Sequence, residues 1–284
     1  MKKYFSLIKF SHSIFALPFA FIGFFLAVRE EGFQSFSLKK LLLMLGCMVF
    51  ARSAAMAFNR YLDRDIDAKN PRNQNREIPK GIISPRQALI YTILNIILFL
   101  ICTYFINQIC FFLSPIALLV ILGYSYTKRF TSFCHFVLGT GLALAPIGAY
   151  LVVTGHFALI PVLFSLAVLT WVSGFDILYA LPDEDFDKHE NLHSIPALLG
   201  KTKAIWLTRF LHLISFGFVS WAGYLGHFHW LYALGSIFYL GLLIYQNALV
   251  KANDLSKLNL AFFTLNGIAS LVFCLFFLAD QFLL

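Results

Sequence analysis

Long apolar runs separated by short polar ones dominate this chain. Nine of them approach the roughly 20 residues that a helix needs to cross a bilayer. They cover residues 11–28, 39–58, 88–107, 111–126, 134–153, 158–178, 204–225, 230–250 and 258–279. None shows the strict alternation of a membrane β-barrel, so helices are the predicted spanning element. The pattern predicts an all-α polytopic membrane protein with nine transmembrane helices, forming one domain over residues 1–284.

Composition agrees and excludes a soluble protein. Only 13% of the residues are charged, whereas a soluble surface carries about a quarter to a third. The first apolar run superficially resembles a secretory signal. It is long, carries Pro18, lacks an A-x-A site and precedes eight more runs, so it is predicted to remain as the first span. The five cysteines lie scattered in apolar segments without a C-x-x-C pair and read as ordinary small core residues.

Basic residues set the orientation. With the N-terminus inside, all but four of the 22 Lys and Arg fall on the inner side: Arg29, Lys39 and Lys40 lie outside and Arg52 within a span. The positive-inside rule then predicts N-in and C-out. The net charge of +8 is a topology signal and implies no nucleic-acid partner.

The acidic residues gather in two places. "NRYLDRDIDAKNPRNQNREIP" holds Asp63, Asp65, Asp67 and Glu77, and "GFDILYALPDEDFDKHENLHSIP" holds Asp176, Asp183, Glu184, Asp185, Asp187 and Glu190. Each follows an even-numbered span, so both are expected on the cytoplasmic side. Asp63 and Asp183 are 120 residues apart, a spacing that suggests an internal four-helix repeat. Asn59, Asp63 and Asp67 are spaced by four, as are Tyr179, Asp183 and Asp187. On helices continuing out of the bilayer each trio would share a face.

Like charges so placed repel, and Arg60 and Arg64 are expected on other sides of the helix. A hard divalent cation is the better compensation, because an all-oxygen ligand set favours Mg²⁺. Mg²⁺ usually shares substrate phosphates with one or two carboxylates. Two facing acidic helix ends would therefore hold Mg²⁺ around a diphosphate, with Arg72, Arg76, Lys80, Lys128 and Arg129 as a phosphate clamp. The predicted architecture is a central cavity opening to the cytoplasmic side.

At these residues the chain resembles the UbiA superfamily of intramembrane aromatic prenyltransferases. "NRYLDRDIDAKNPRNQNREIPKG" is similar to its first motif, N-D-x-x-D-x-x-x-D, and "DILYALPDEDFDKHENLHSIP" to its second, D-x-x-x-D. "GYSYTKRF" resembles its basic loop after the fourth span, and "IKFSHSIFALPFAFIG" its first helix. One departure is Arg60, where many members carry Asp. The second motif looks most like 4-hydroxybenzoate polyprenyltransferases of bacteria, and also resembles a sister branch that prenylates a dihydroxynaphthoate for menaquinone.

The resemblance implies an enzyme that transfers a polyprenyl group from a polyprenyl diphosphate to a ring carbon of a phenolic acid, in the inner membrane of a bacterium. It implies Mg²⁺ on Asn59, Asp63, Asp67, Asp183 and Asp187, with catalysis carried by Asp63, Asp183 and Asp176. Lys128, Arg129, Arg76 and Lys9 would contact the diphosphate. Its partners would be these two substrates and membrane lipid, with no obligate protein partner. An ionisable group at membrane depth is functional by default, so Asp176 is expected to orient the phenol hydroxyl or take its proton, beside Tyr179. Arg52 is expected to bind the acid's carboxylate or the diphosphate, or to pair with Asp176. His227 and His229 read as interfacial loop residues.

A secondary transporter is the competing class, since transporters also carry intramembrane carboxylates and repeats. Its polar residues should line a path to both faces, whereas the polar chemistry here opens to one side.

Overall fold

A computed structural model of the chain describes Leu7 and residues 16–284. All of its long elements are α-helices. They are α1 (Leu17–Glu31), α2 (Leu38–Leu62), α3 (Arg64–Lys69), α4 (Pro85–Ile106), α5 (Gln108–Thr127), α6 (Cys134–Thr154), α7 (Leu159–Ala180), α8 (Glu184–His189), α9 (Ile195–Leu199), α10 (Lys201–Leu225), α11 (Trp230–Leu249) and α12 (Asn266–Leu283). Eight helices among the described residues are long and apolar enough to cross a membrane. The ninth expected span is α1, of which 15 residues are described; the start of its predicted range, 11–15, lies outside the described residues.

Local sequence explains the helix starts. Ser84 caps α4 by accepting the Gln87 N–H at 3.2 Å, while the Gln87 side chain accepts the Ser84 N–H at 3.0 Å, and Pro85 follows at the first position. Together these satisfy backbone donors that a helix start leaves open and preset its φ.

The acid-bearing span α2 packs chiefly on α4, whereas α7 packs about equally on α6 and α10. α6 bridges the two groups by touching α1, α5 and α7. Without a hydrophobic drive between helices in lipid, close backbone approach supplies much of the packing. At Gly23 a Cβ would fall 2.0 Å from the Pro146 carbonyl oxygen, so α1 and α6 meet backbone to backbone. Gly139 does the same between α6 and α7, where a Cβ would lie 2.7 Å from the Leu169 oxygen.

An aromatic core fills the space between α1, α7, α11 and α12. Phe19 and Trp171 have ring centroids 5.5 Å apart, Trp171 and Tyr239 6.1 Å, and Phe19 and Phe273 6.0 Å. The α12 end of the chain is preceded by a wide π-type turn, Leu260–Leu265. Asn266 fixes that turn: its Nδ2 donates to the Phe262 carbonyl at 2.9 Å, and its Oδ1 accepts the Trp171 Nε1–H at 3.0 Å.

Candidate active site

The two acidic segments end at one cavity of about 320 Å³. Neither is the continuous helix that the spacing suggested. α2 ends at Leu62 and α3 begins at Arg64, with Asp63 between them. The hydrogen-bond register nevertheless survives, because the Asp63 N–H donates to Asn59 O at 2.9 Å and the Asp67 N–H to Asp63 O at 2.7 Å. Asn59, Asp63 and Asp67 therefore still share a cavity-facing side. In the second segment Pro182 cannot donate and does not tolerate a helix interior. The chain passes through a 3₁₀ turn, Leu181–Asp183, before α8, and Tyr179, Asp183 and Asp187 still line the cavity.

Several side-chain and backbone bonds clamp the loops at this end of the bundle. Lys69 meets Glu190 at 2.6 Å, and this hydrogen bond holds the Glu190 carboxyl below the usual carboxylate range. Asn70 Nδ2 donates to Asp183 at 3.0 Å, and the His193 N–H donates to Lys128 O at 2.7 Å.

Each of the first three carboxylates already has a cation. Asp63, 1% exposed, accepts from Lys128 Nζ at 2.5 Å and from Asn59 Nδ2 at 3.0 Å, with Arg129 3.1 Å from its other oxygen. Asp67, also 1% exposed, receives Arg76 at 2.7 Å on both oxygens. Asp183 pairs with Arg72 at 2.7 Å, and Asp187 accepts from the Ser194 hydroxyl at 2.7 Å. The protein's own basic residues thus supply much of the compensation that the spacing called for. Lys9 lies outside the described residues.

The donor set fits a hard cation. The carboxylates and Asn59 offer only oxygen ligands, the type that suits Mg²⁺. Asp63 Oδ1 is buried and accepts no hydrogen bond, although Arg129 pairs with it at 3.1 Å, so a cation could take that place. Among the described residues no three acidic, thiol or imidazole side chains converge on one point. An ion here would draw its remaining ligands from substrate oxygens and water, which is how Mg²⁺ is usually held.

Deeper in the cavity the partner of Asp176 is His135, not Arg52. His135 Nδ1 lies 2.7 Å from Asp176 Oδ2. Its other nitrogen, Nε2, faces the Ile195 N–H at 3.3 Å, and a backbone N–H can only donate. Nε2 is therefore the acceptor, leaving Nδ1–H to donate to Asp176. The Gly139 close approach makes this pairing, since His135 lies one turn earlier on the same helix. Asp176 keeps 24% of its side chain exposed toward the cavity.

Tyr179 stacks on Phe262 at 4.1 Å, and Arg72 covers its ring at 4.2 Å. The π-type turn held by Asn266 delivers Phe262 and Phe263 to this wall. Arg52 and Arg60 both line the cavity. Arg60, expected on another side of its helix, is 5% exposed.

His135, the π-type turn and the burial of Arg60 were not foreseen. A histidine at the second position of an apolar span was the available signal for the first. An intramembrane ionisable group calls for a partner at similar depth.

A helical bundle with two acidic spans ending at one membrane cavity is the architecture of intramembrane prenyl transfer. The model of the UbiA prenyltransferase family matches residues 16–268, and the chain belongs to that family. It is a multi-pass membrane prenyltransferase. The 4-hydroxybenzoate octaprenyltransferase of Tolumonas auensis is 29% identical over 212 residues, 75% of this chain and 71% of that protein. The protein of the same name from Haemophilus ducreyi is 33% identical over 193 residues, 66% of this chain and 69% of its own length. Among solved structures, a UbiA homolog from Aeropyrum pernix superposes with a TM-score of 0.84 at 28% identity, covering 95% of this chain and 98% of that one. A UbiA homolog from Archaeoglobus fulgidus bound to GPP and Mg²⁺ shares the fold at TM-score 0.77 and 23% identity, covering 98% and 99%.

Proposed function

We propose that this enzyme transfers a polyprenyl group from polyprenyl diphosphate to a ring carbon of an aromatic acid of the 4-hydroxybenzoate type, with Mg²⁺, in respiratory quinone synthesis. The convergence of Asp63, Asp67, Asp183 and Asp187 with Lys128, Arg129, Arg76 and Arg72 at one cavity carries this reading. The names of its relatives and the GPP and Mg²⁺ of a structural neighbour support it. The basic excess supports an N-terminus and a cavity mouth on the cytoplasmic side of a bacterial inner membrane, with the C-terminus outside.

Asn59, Asp63, Asp67, Asp183 and Asp187 would hold Mg²⁺, whose charge offsets the negative charge developing on the leaving diphosphate. Lys128, Arg129, Arg76 and Arg72 turn from their carboxylates toward phosphate oxygens when the diphosphate arrives, and Lys9, outside the described residues, is assigned to the same anion by the family resemblance alone. The allylic C–O bond breaks to release diphosphate, and the ring carbon forms a C–C bond as Asp176, oriented by His135, takes the phenol proton. The ring C–H proton then passes to the departing diphosphate, and Asp176 returns its proton to the phenol oxygen. Tyr179, Phe175 and Phe262 line the cavity beside it and can face the cationic prenyl carbon. Arg52 binds the carboxylate of the acid.

Membranes carrying the enzyme, given labelled polyprenyl diphosphate and Mg²⁺, are expected to label 4-hydroxybenzoate and to stop when EDTA is added. Labelling of a dihydroxynaphthoate alone would move the enzyme to the menaquinone branch. No Mg²⁺-dependent labelling of either acid would contradict the proposal.

A further inference from the structure

Asn266 is fully buried and engages both polar atoms of its side chain. Its Nδ2 donates to the Phe262 carbonyl at 2.9 Å and to the Ala261 carbonyl at 3.4 Å, and its Oδ1 accepts the Nε1–H of the buried Trp171 at 3.0 Å. Both carbonyls belong to the π-type turn Leu260–Leu265. Such turns are rare and frequently sit at functional sites. A regular helix would satisfy the same carbonyls from its own backbone, so what this turn places needs an explanation.

The wide turn inserts one residue and so rotates the chain before it by about 100° relative to α12. The face that α12 buries through Asn266, Ala269, Phe273 and Phe277 is continued by the buried Ala261, five residues before Asn266, instead of by Phe262. Phe262 and Phe263, partly buried, reach the cavity wall. There Phe262 meets Phe175 at 5.2 Å between ring centroids and stacks on Tyr179 at 4.1 Å. Arg72 stands 4.2 Å from the centre of the same Tyr179 ring, and two groups so close cannot share one face. Tyr179 is thus clamped, with Phe262 behind it and Arg72 in front. Its level matters, because Asp176 and Asp183 are seven residues apart, roughly 10 Å along the chain axis, and Tyr179 lies between them. With the diphosphate held at Asp183 and the acceptor at Asp176, the allylic cation forms beside Tyr179.

We infer that Asn266 is a positioning residue: by holding the π-type turn it keeps Phe262 pressed behind Tyr179, and this fixed wall delivers the allylic cation to the acceptor ring instead of to water. The inference rests on the proposed prenyl transfer and adds the group that protects its intermediate. The competing step needs only water. The allylic C–O bond breaks, the water oxygen bonds the allylic carbon, a water proton passes to the diphosphate, and the product is a prenyl alcohol. A Tyr179 braced from behind stays against the cation after Arg72 moves to the phosphates. An unbraced ring can swing away and admit water.

The test uses the full-length purified enzyme in lipid nanodiscs, with labelled polyprenyl diphosphate, Mg²⁺ and 4-hydroxybenzoate in ¹⁸O-water. Prenyl alcohol carrying ¹⁸O reports water attack on carbon, whereas cleavage at phosphorus leaves ¹⁶O in the alcohol. Asn266→Leu, similar in volume and without the hydrogen bonds, is expected to raise the ratio of ¹⁸O-alcohol to prenylated acid roughly 2- to 10-fold, as for loss of one aromatic contact. Phe262→Leu, which leaves the turn in place, should raise it as much. KM for the diphosphate should hold near wild type in both, because neither side chain touches the metal ligands or the phosphate clamp. Affinity for inorganic pyrophosphate with Mg²⁺ checks folding. Should Asn266→Leu fail that check, Trp171→Phe, which removes the indole N–H that Asn266 accepts, replaces it with the same expected rise. An unchanged ratio in the Asn266 variant or its replacement would overturn the inference and leave Asn266 as packing. So would an unchanged ratio in Phe262→Leu. Failure of the parent proposal looks different: wild-type enzyme would then form no prenylated acid at all.

Discussion

Asp63→Ala is expected to lower turnover about 10²- to 10³-fold, roughly 3–4 kcal/mol of transition-state stabilisation, while the protein still inserts and folds. Asp63 is the point where metal and phosphate chemistry meet. It is buried, carries Lys128 and Arg129, and keeps one oxygen free of hydrogen bonds. Removing it takes a carboxylate from the metal and leaves two cations uncompensated. These losses have opposite signs for the anion, which makes the variant diagnostic. Pyrophosphate binding without Mg²⁺ should tighten in Asp63→Ala, because Lys128 and Arg129 no longer have a competing carboxylate. The gain that Mg²⁺ gives to wild-type binding should shrink. Turnover near wild type with the Mg²⁺ dependence intact would remove Asp63 from the chemistry.

The second large effect belongs to Asp176→Asn. Asparagine is nearly isosteric and its Oδ1 can still accept from His135 Nδ1–H, so the helix pairing survives while the base is lost. General-base catalysis contributes roughly 10²- to 10⁴-fold, and kcat should fall by an amount in that range. Acceptor KM should move little. His135→Ala is expected to act more weakly, because it frees Asp176 to reorient without removing it. An unchanged kcat and an unchanged pH profile for Asp176→Asn would leave the Asp176–His135 pair as a structural contact between α6 and α7.

How much of this was legible before the fold was known differs from residue to residue. The membrane class and the α-helical architecture follow from run length and charge content alone, because the bilayer imposes one requirement on every span. The spacing of Asn59, Asp63 and Asp67 put them on one side, and they do line one cavity. The intermediate step was different, since α2 breaks at Asp63 and only the backbone bonds across the break preserve the register. The second segment breaks as well, through the 3₁₀ turn Leu181–Asp183 that contains Pro182, where the spacing suggested a continuing helix. His135 could not be paired with Asp176 from spacing. The two are 41 residues apart, and their meeting depends on the absent side chain at Gly139, which lets α6 and α7 touch. Arg60 shows the same limit. Helical periodicity placed it on another side, but the cavity wraps far enough around α2 to take in Arg52, Met56, Asn59, Arg60 and Asp63. Periodicity gives a residue's angle on its own helix and says nothing about how wide a neighbour's face will be. The π-type turn was invisible for a related reason, since it is held by Asn266 and Trp171, 95 residues apart.

The central claim is that both acidic segments hold metal against the same diphosphate. Mn²⁺ can stand in for Mg²⁺ as a paramagnetic probe, and electron–nuclear double resonance then reads the phosphorus nuclei around it. With wild-type enzyme and a non-hydrolysable prenyl diphosphate analogue, a strong phosphorus coupling is expected. It should be lost or sharply reduced both in Asp67→Ala, from the first segment, and in Asp187→Ala, from the second. Phosphorus coupling that survives unchanged when either segment loses its carboxylate would contradict the account.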